Sequence, residues 1–145
     1  MNWKSEAIDK LRQYEAKKQS LESIPKEIAR LKSAMKSIRS ATADGTPVHG
    51  GGSGRENMML SNIVHREELE RSLEQAQKWV ELVDGGLEIL SPEERLILDR
   101  FYIHQAHGNV DRLCGELCLE KSQVYARKDY ALHHFMISLY GCSEI

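Results

Sequence analysis

The sequence predicts an all-α protein: a long antiparallel helical hairpin followed by a small head of short helices. Two segments, residues 1–40 and 56–90, carry apolar residues at helical spacing, and a glycine-rich stretch separates them. A third segment, residues 91–145, has the caps and spacing of shorter helices. Aromatic residues make up 6% of the chain and charged residues 29%, which suits long two-sided helices better than a thick core. We therefore expect two domains, at residues 1–90 and 91–145.

A first helix is predicted from about residue 2 to residue 38, because apolar residues recur every seven positions. This row consists of Ala7, Tyr14, Leu21, Ile28 and Met35. A companion row, three residues further on, is apolar in its second half at Ile24, Leu31 and Ile38. Two such rows give the helix one narrow apolar seam. Pro25 removes a backbone hydrogen bond at a cost of about 3 kcal/mol, so we expect a kink there, or a break with a new helix start near Ser23.

Residues 40–55 are expected to form a flexible linker. They hold five of the ten glycines together with Pro47, and they show no helical or strand period. Such a composition does not compensate the entropy that is lost on ordering. The linker would let the chain reverse direction between the first helix and the second.

A second helix is predicted over about residues 56–90, where apolar residues alternate steps of four and three. This seam consists of Leu69, Leu73, Ala76, Val80, Val83, Leu87 and Leu90. Gly85 and Gly86 lie inside it, and each costs roughly 1 kcal/mol relative to alanine in a helix. We expect a bend or hinge at this pair, between the hairpin and the head.

The distribution of charge favours packing of the two helices against each other. Residues 1–40 hold ten basic and five acidic residues, a balance of +5, whereas residues 41–90 hold four and nine, a balance of −5. Opposite charge on consecutive segments suggests that they lie side by side, antiparallel, with Leu31 and Met35 near the N-terminal end of the second helix. Two independently solvated faces are the alternative.

The third segment opens with a helix-start signal. In the tetrapeptide Ser-Pro-Glu-Glu at 91–94, Ser91 is a predicted N-cap and Glu94 completes a capping box. The buried face is predicted at Ile97, Leu98, Phe101 and Tyr102. Residues 104–108 are predicted to form a loop, and Asn109 to cap the next helix, whose buried positions are Val110, Leu113 and Leu117.

A tight turn and a longer helix follow. Cys118 occupies the turn, Leu119 is its apolar residue, and the helix is predicted to start near residues 120–122 and to stop at Gly141. One side of this helix can be buried, at Val124, Ala131, Leu132, Phe135 and Leu139. The opposite side is polar and partly basic. A short helix, a short turn and a longer helix with such a face form the shape that enters a DNA major groove.

This pattern resembles the C-terminal helix-turn-helix domain, region four, of sigma factors. The resemblance rests on the order Leu-x-apolar, then Val, then Ala-Leu, and on the helix predicted at residues 90–102; it covers about residues 90–141. The whole chain, with its N-terminal hairpin and a Leu-Tyr-Gly tripeptide at 139–141, is similar to small phage late-gene regulators of the ArpU/RinA type. Cys118 departs from the pattern, since a small residue, often glycine, is usual there.

The resemblance implies a sequence-specific DNA-binding transcriptional regulator, an activator of phage or prophage late genes. Its partners would be double-stranded DNA, RNA polymerase and a second copy of the chain, in the cytoplasm of a bacterial host at the nucleoid. The family's base-reading positions fall on Lys121, Ser122, Tyr125 and Ala126. Arg127 and Lys128 are placed for phosphates, and Gln123 lies on the same exposed turn.

Other functions are predicted with less support from the residues. A coiled-coil assembly protein, or a subunit like the small terminase of DNA packaging, is the alternative function. No catalytic constellation has a recognisable local context, so no enzyme and no cofactor are expected. Cys114 and Cys118 lie four apart, but they match no zinc-finger spacing, so no metal is expected. Three cysteines and no long apolar run predict reduced thiols and a soluble protein without membrane partners.

Overall fold

The computed structural model describes residues 2–43 and 52–141, and within these ranges every regular element is a helix, which confirms the all-α class. The elements are α1 (Trp3–Ala43), α2 (Gly52–Glu88), α3 (Pro92–Leu98), a π-helical turn (Asp99–Ile103), α4 (Asn109–Leu117) and α5 (Lys121–Tyr140). Most of the predicted linker, residues 44–51, lies outside the described residues. Its predicted ends, 40–43 and 52–55, are helical instead. Residues 40–43 include no proline or glycine, so nothing local stops α1 there.

The chain divides into two compact units by its internal contacts. Unit 1 consists of Met1–Lys17 and Lys78–Ile145, and unit 2 of Lys18–Gln77. The division at residue 90, expected from the order of the helices, differs from this grouping. Unit 1 also contains the first turns of α1 and the last turns of α2, and both of these contact α5. Unit 1 therefore contains residues from all five α-helices of the described chain.

In unit 2, the seam of α1 is buried as predicted at Ile28, Leu31 and Met35. The Asn62 side-chain amide donates to the Leu31 carbonyl at 2.8 Å, so this part of α1 contacts the first half of α2. Asn62 is itself buried, and its amide oxygen accepts from Arg66 at 2.9 Å. A buried amide with both ends hydrogen-bonded carries no desolvation penalty for an unpaired group.

The helix α1 continues through Pro25, so the predicted break with a new start near Ser23 is wrong. Pro25 is exposed, while Ile28 and Leu31 follow it within two turns and are buried. Packing of the seam offsets the roughly 3 kcal/mol that a proline costs in a helix interior. Tertiary burial therefore outweighs the local signal.

In unit 1, Ala7 and Leu11 of α1 and Val80 and Val83 of α2 are buried. The Tyr14 hydroxyl donates to the Asp84 carboxylate, and burial together with this bond raises the pKa of Tyr14. Further along α1, the Lys17 ammonium lies 5.7 Å from the centre of the Trp79 ring. Residues 14 and 17 thus meet residues 84 and 79, so the two segments of unit 1 run in opposite directions.

The first turns of α1 also meet the last turn of α5. The Trp3 and Tyr140 rings lie 4.8 Å apart between centres, and the Lys10 ammonium donates to the Tyr140 hydroxyl at 3.1 Å. Gly141 ends α5 in the left-handed conformation, with φ of 76°, as predicted. These aromatic and polar contacts join the start of α1 to the end of α5.

Gly86 has a packing role that its sequence context did not indicate. The helix α2 continues through Gly85 and Gly86 to Glu88. A Cβ atom on Gly86 would lie 2.9 Å from Phe135 Cε2 and 3.0 Å from Leu139 Cδ2, whereas one on Gly85 would meet nothing within 4 Å. Gly86 therefore allows α2 and α5 to approach closely.

The predicted cap of α3 is confirmed, and the predicted cap of α4 is wrong. Ser91 accepts from the Glu94 N–H at 3.2 Å, and the Glu94 carboxylate accepts from the Ser91 N–H. The N-cap of α4 is Gly108, with φ of 81°, and Asn109 is its first helical residue. The buried Asn109 amide instead donates to the carbonyls of Arg100 and His104, at 2.8 and 3.0 Å. It thereby ties the loop to the π-helical turn.

Candidate nucleic-acid interface

The turn between α4 and α5 is short and left-handed at one residue. Cys118 has φ of 55° and ψ of 45°, and its N–H donates to the Cys114 carbonyl. The Leu119 N–H donates to the same carbonyl at 3.1 Å. A non-glycine residue in this region is strained by its Cβ atom, so the turn is held by hydrogen bonding and packing.

A small apolar cluster supports this turn. Its buried members are Ile97, Leu113 and Val124, one from each of α3, α4 and α5. Leu119 and Leu117 pack against them, together with Val110, Cys114, Leu96 and Phe101. Because all three helices contribute, the start of α5 has a fixed direction relative to α3 and α4.

The first turn of α5 is capped by Glu120 and Gln123. The Glu120 side chain accepts from the Gln123 N–H, and the Gln123 side-chain oxygen accepts from the Glu120 N–H at 3.0 Å. This reciprocal arrangement satisfies two backbone donors at the helix start. Gln123, predicted as a DNA-binding residue, is exposed and is also engaged in this cap.

The two sides of α5 divide as the periodicity predicts. Val124, Ala131, Leu132 and Phe135 are buried, and Leu139 is half-buried. The exposed side chains at the N-terminal end include four that the sequence assigned to base reading: Lys121, Ser122, Tyr125 and Ala126. A polar exposed end on a helix whose other side is anchored can project into a groove.

The two basic residues assigned to phosphates are both ion-paired. Arg127 pairs with the Glu93 carboxylate of α3. The Lys128 ammonium lies 2.9 Å from Asp129, and only 17% of its side-chain surface is exposed. Burial acts to lower the pKa of Lys128, but the hydrogen bond to Asp129 and the electrostatic attraction of Tyr102, Asp129 and Tyr125 together outweigh it, and the pKa is raised. Lys128 therefore stays charged, though partly shielded from solvent.

Aromatic rings hold Lys128 in place. Its ammonium lies 5.6 Å from the centre of the Phe101 ring and 5.8 Å from that of Tyr125, within the range of cation–π attraction. The two rings meet edge to face at 5.6 Å. Sequence reasoning placed Phe101 only in the core and did not connect it with the interface.

Beside these rings lies an open groove of about 670 Å³. Its walls include Arg100, Phe101, Asn109, Val110, Lys121 and Tyr125. The groove separates the start of α4 from the start of α5, so Lys121 and Tyr125 border it on one side. Arg100 pairs with Glu116 of α4 at 3.4 Å. Sequence reasoning missed Arg100 because this partner is 16 residues away in the chain.

The histidines of α5 lie away from this groove. His134 Nδ1 lies 2.6 Å from the Glu94 carboxylate, and its ring lies 4.4 Å from the Tyr130 ring. Burial acts to raise the pKa of Glu94, but the hydrogen bonds from the Ser91 N–H and from His134 outweigh it and the pKa is lowered. His134 thus joins α5 to the cap of α3, while His133 is exposed.

Neither cysteine of the described chain has a disulfide partner there. Cys114 is half-buried in the cluster and Cys118 is exposed. Over residues 2–40 and 54–141, no group of three or more His, Cys, Asp or Glu side chains is arranged to hold a metal ion. Nor does any helix in these parts have both the length and the apolar character to cross a bilayer.

Comparisons of the chain with protein families, with curated proteins and with solved structures return no match. The similarity to sigma region four and to ArpU/RinA-type regulators therefore stays a prediction.

Proposed function

We propose that this chain binds double-stranded DNA in a sequence-specific manner and regulates transcription through α5. One observation carries the proposal. The exposed end of α5, with Lys121, Ser122, Tyr125 and Ala126, projects from a cluster to which α3, α4 and α5 each contribute a buried residue. A rigidly supported helix with donors and small side chains at its free end has the requirements of a major-groove reader.

Each exposed residue has a defined task in this proposal. Lys121 donates to guanine O6 and N7, and Ser122 donates or accepts at a neighbouring base. Tyr125 reaches a base edge or a phosphate from the rim of the groove, and Ala126 packs against a thymine methyl group. Gln123 stays with the cap and contributes through the direction of the helix.

Selection of bound sequences from a random pool of duplex DNA tests the proposal directly. We expect one enriched motif, and we expect Lys121→Ala to relax the preference at one base pair of it. A pool that shows no enrichment after repeated selection would exclude sequence-specific recognition and would favour assembly or packaging.

The proposal includes self-association. In unit 2, Leu60 and Val64 lie one turn apart on α2 and expose 60% and 42% of their surface. Apolar side chains grouped on one helix are typical of a contact with another chain, and two heads joined in a dimer read two half-sites about 34–36 Å apart. Sedimentation at high micromolar concentration should give a dimer, whereas a ring-shaped oligomer would favour the packaging alternative.

The control of phage or prophage late genes, and contact with RNA polymerase, rest on the resemblance alone. Both are tested by transcription from a template that carries the selected motif. Activation that requires the motif supports them, and repression or no effect contradicts the role of an activator.

A further inference from the structure

A strip of basic and aromatic side chains extends from α5 across the π-helical turn to α1, all within unit 1. It begins at Lys121 and Tyr125 on the rim of the groove, and the edge-to-face contact of 5.6 Å continues it to Phe101. Lys128 lies over both of these rings. The strip thus alternates positive charge with ring surface, as surfaces that contact nucleic acid do.

The strip does not end at Lys128. Burial raises the pKa of the Tyr102 hydroxyl, while the positive charges of Lys128 and Arg12 act to lower it. A cation of α5 and a cation of α1 thus both influence this hydroxyl.

A separate contact places this face of α1 against the π-helical turn. His104, which ends that turn, has its Nε2 atom 3.2 Å from the Glu15 carboxylate. Arg12 lies three residues before Glu15, and residues at this spacing share a face of a helix. Arg12 is exposed, and it forms no ion pair within the described residues.

We propose that Arg12 of α1 and Lys128 of α5 contact the sugar–phosphate backbone of the DNA whose bases α5 reads, as an extension of the interface beyond the helix-turn-helix. This inference rests on the proposed function. Lys121 and Lys128 are seven residues apart, about 10 Å along α5, so one helix can supply both a base contact and a backbone contact.

The distribution of basic residues along the chain explains why α1 contributes to the proposed DNA interface. Residues 91–145 hold six basic and eight acidic residues, so the head segment alone is weakly acidic. Lys128 is partly neutralised by Asp129, and Arg100 by Glu116. Residues 1–40 carry the basic excess of the chain, and Arg12 brings part of it to the interface.

The test compares Arg12→Gln with Lys32→Gln in the full chain. Both residues are exposed on α1 and both changes remove one positive charge, but Lys32 belongs to unit 2. Binding to a duplex with the selected motif and to a scrambled duplex is measured at several salt concentrations. Circular dichroism checks that each variant is folded.

We expect Arg12→Gln to weaken binding to both duplexes by the same factor, about 3- to 10-fold near 0.1 M salt. The slope of log affinity against log salt should fall by about 0.9, the value for one phosphate contact. Lys32→Gln should leave the slope unchanged. Arg12→Gln combined with Lys128→Gln should lower the slope further than Arg12→Gln alone.

The possible failures are distinguishable. If the wild-type chain binds neither duplex, the proposed function and this inference both fail. If it prefers the selected duplex while Arg12→Gln keeps the wild-type slope, only the strip is refuted. An equal loss in Lys32→Gln and Arg12→Gln would show an effect of net charge and would also overturn the assignment of Arg12.

Discussion

The two adjacent glycines of α2 should respond to alanine in different ways. Either substitution improves helix propensity by about 1 kcal/mol, because glycine loses more backbone freedom on folding. At Gly85 nothing lies within 4 Å of the added Cβ atom, so Gly85→Ala should stabilise the protein by about that amount. At Gly86 the atom would lie 2.9 Å from Phe135, whose side chain is completely buried and cannot move aside freely.

Overpacking of this kind costs about 1–3 kcal/mol, so Gly86→Ala should be neutral to about 2 kcal/mol destabilising. The difference between the two variants, about 1–3 kcal/mol, isolates the steric contact because the propensity gain is common to both. Urea unfolding followed by circular dichroism measures it, at one fixed protein concentration because self-association shifts the midpoint. Equal midpoints for Gly85→Ala and Gly86→Ala would refute the close approach of α2 and α5.

Three further outcomes are expected. Lys121→Ala should cost about 1–3 kcal/mol on the selected duplex and little on a scrambled one, whereas Lys128→Ala should weaken both and lower the salt slope; identical behaviour of the two variants would contradict their separate roles. Cys118→Gly should relieve the strain at φ of 55°. The free energy of unfolding in urea should rise by up to about 1 kcal/mol, reduced by the greater backbone entropy of glycine in the unfolded chain. A clear loss of stability would show that the Cys118 side chain is needed. The pKa of Glu94 is lowered from its usual 4.5. The Glu94 carboxylate therefore stabilises the fold above about pH 4.5, and this stabilisation is lost as the pH falls further. Glu94→Gln should make the melting temperature depend less on pH on the acid side.

Local signals in the sequence predict the helices and their buried sides well. Ser91 and Glu94 predict the cap of α3 because that cap depends on residues three positions apart. The buried side of α5 follows from its period, and Gly141 marks its end. These features depend on neighbours within one or two turns of the chain, which the sequence displays directly.

Features that depend on distant residues were not predicted. The sequence favours a hinge at Gly86. Its packing role is hidden there because the partners, Phe135 and Leu139, lie about fifty residues further along the chain. Asparagine is a common N-cap residue, yet the N-cap of α4 is Gly108, which has a positive φ. The Asn109 amide donates instead to the carbonyls of Arg100 and His104. Such roles appear only when the tertiary contacts are known.

The ion pairs of the interface also depend on the fold, and they affect how strongly the protein should attract DNA of any sequence. The sequence presents Arg127 and Lys128 as phosphate contacts, but folding brings Glu93 to the first and Asp129 lies beside the second. Paired cations release fewer counterions on binding, so non-specific attraction to DNA should be weak. Under the proposed function, discrimination then depends on base contacts from the exposed end of α5 and on the joining of two heads in a dimer. Weak non-specific binding favours this arrangement, since a regulator competes for its site against the large excess of other sequences in a genome.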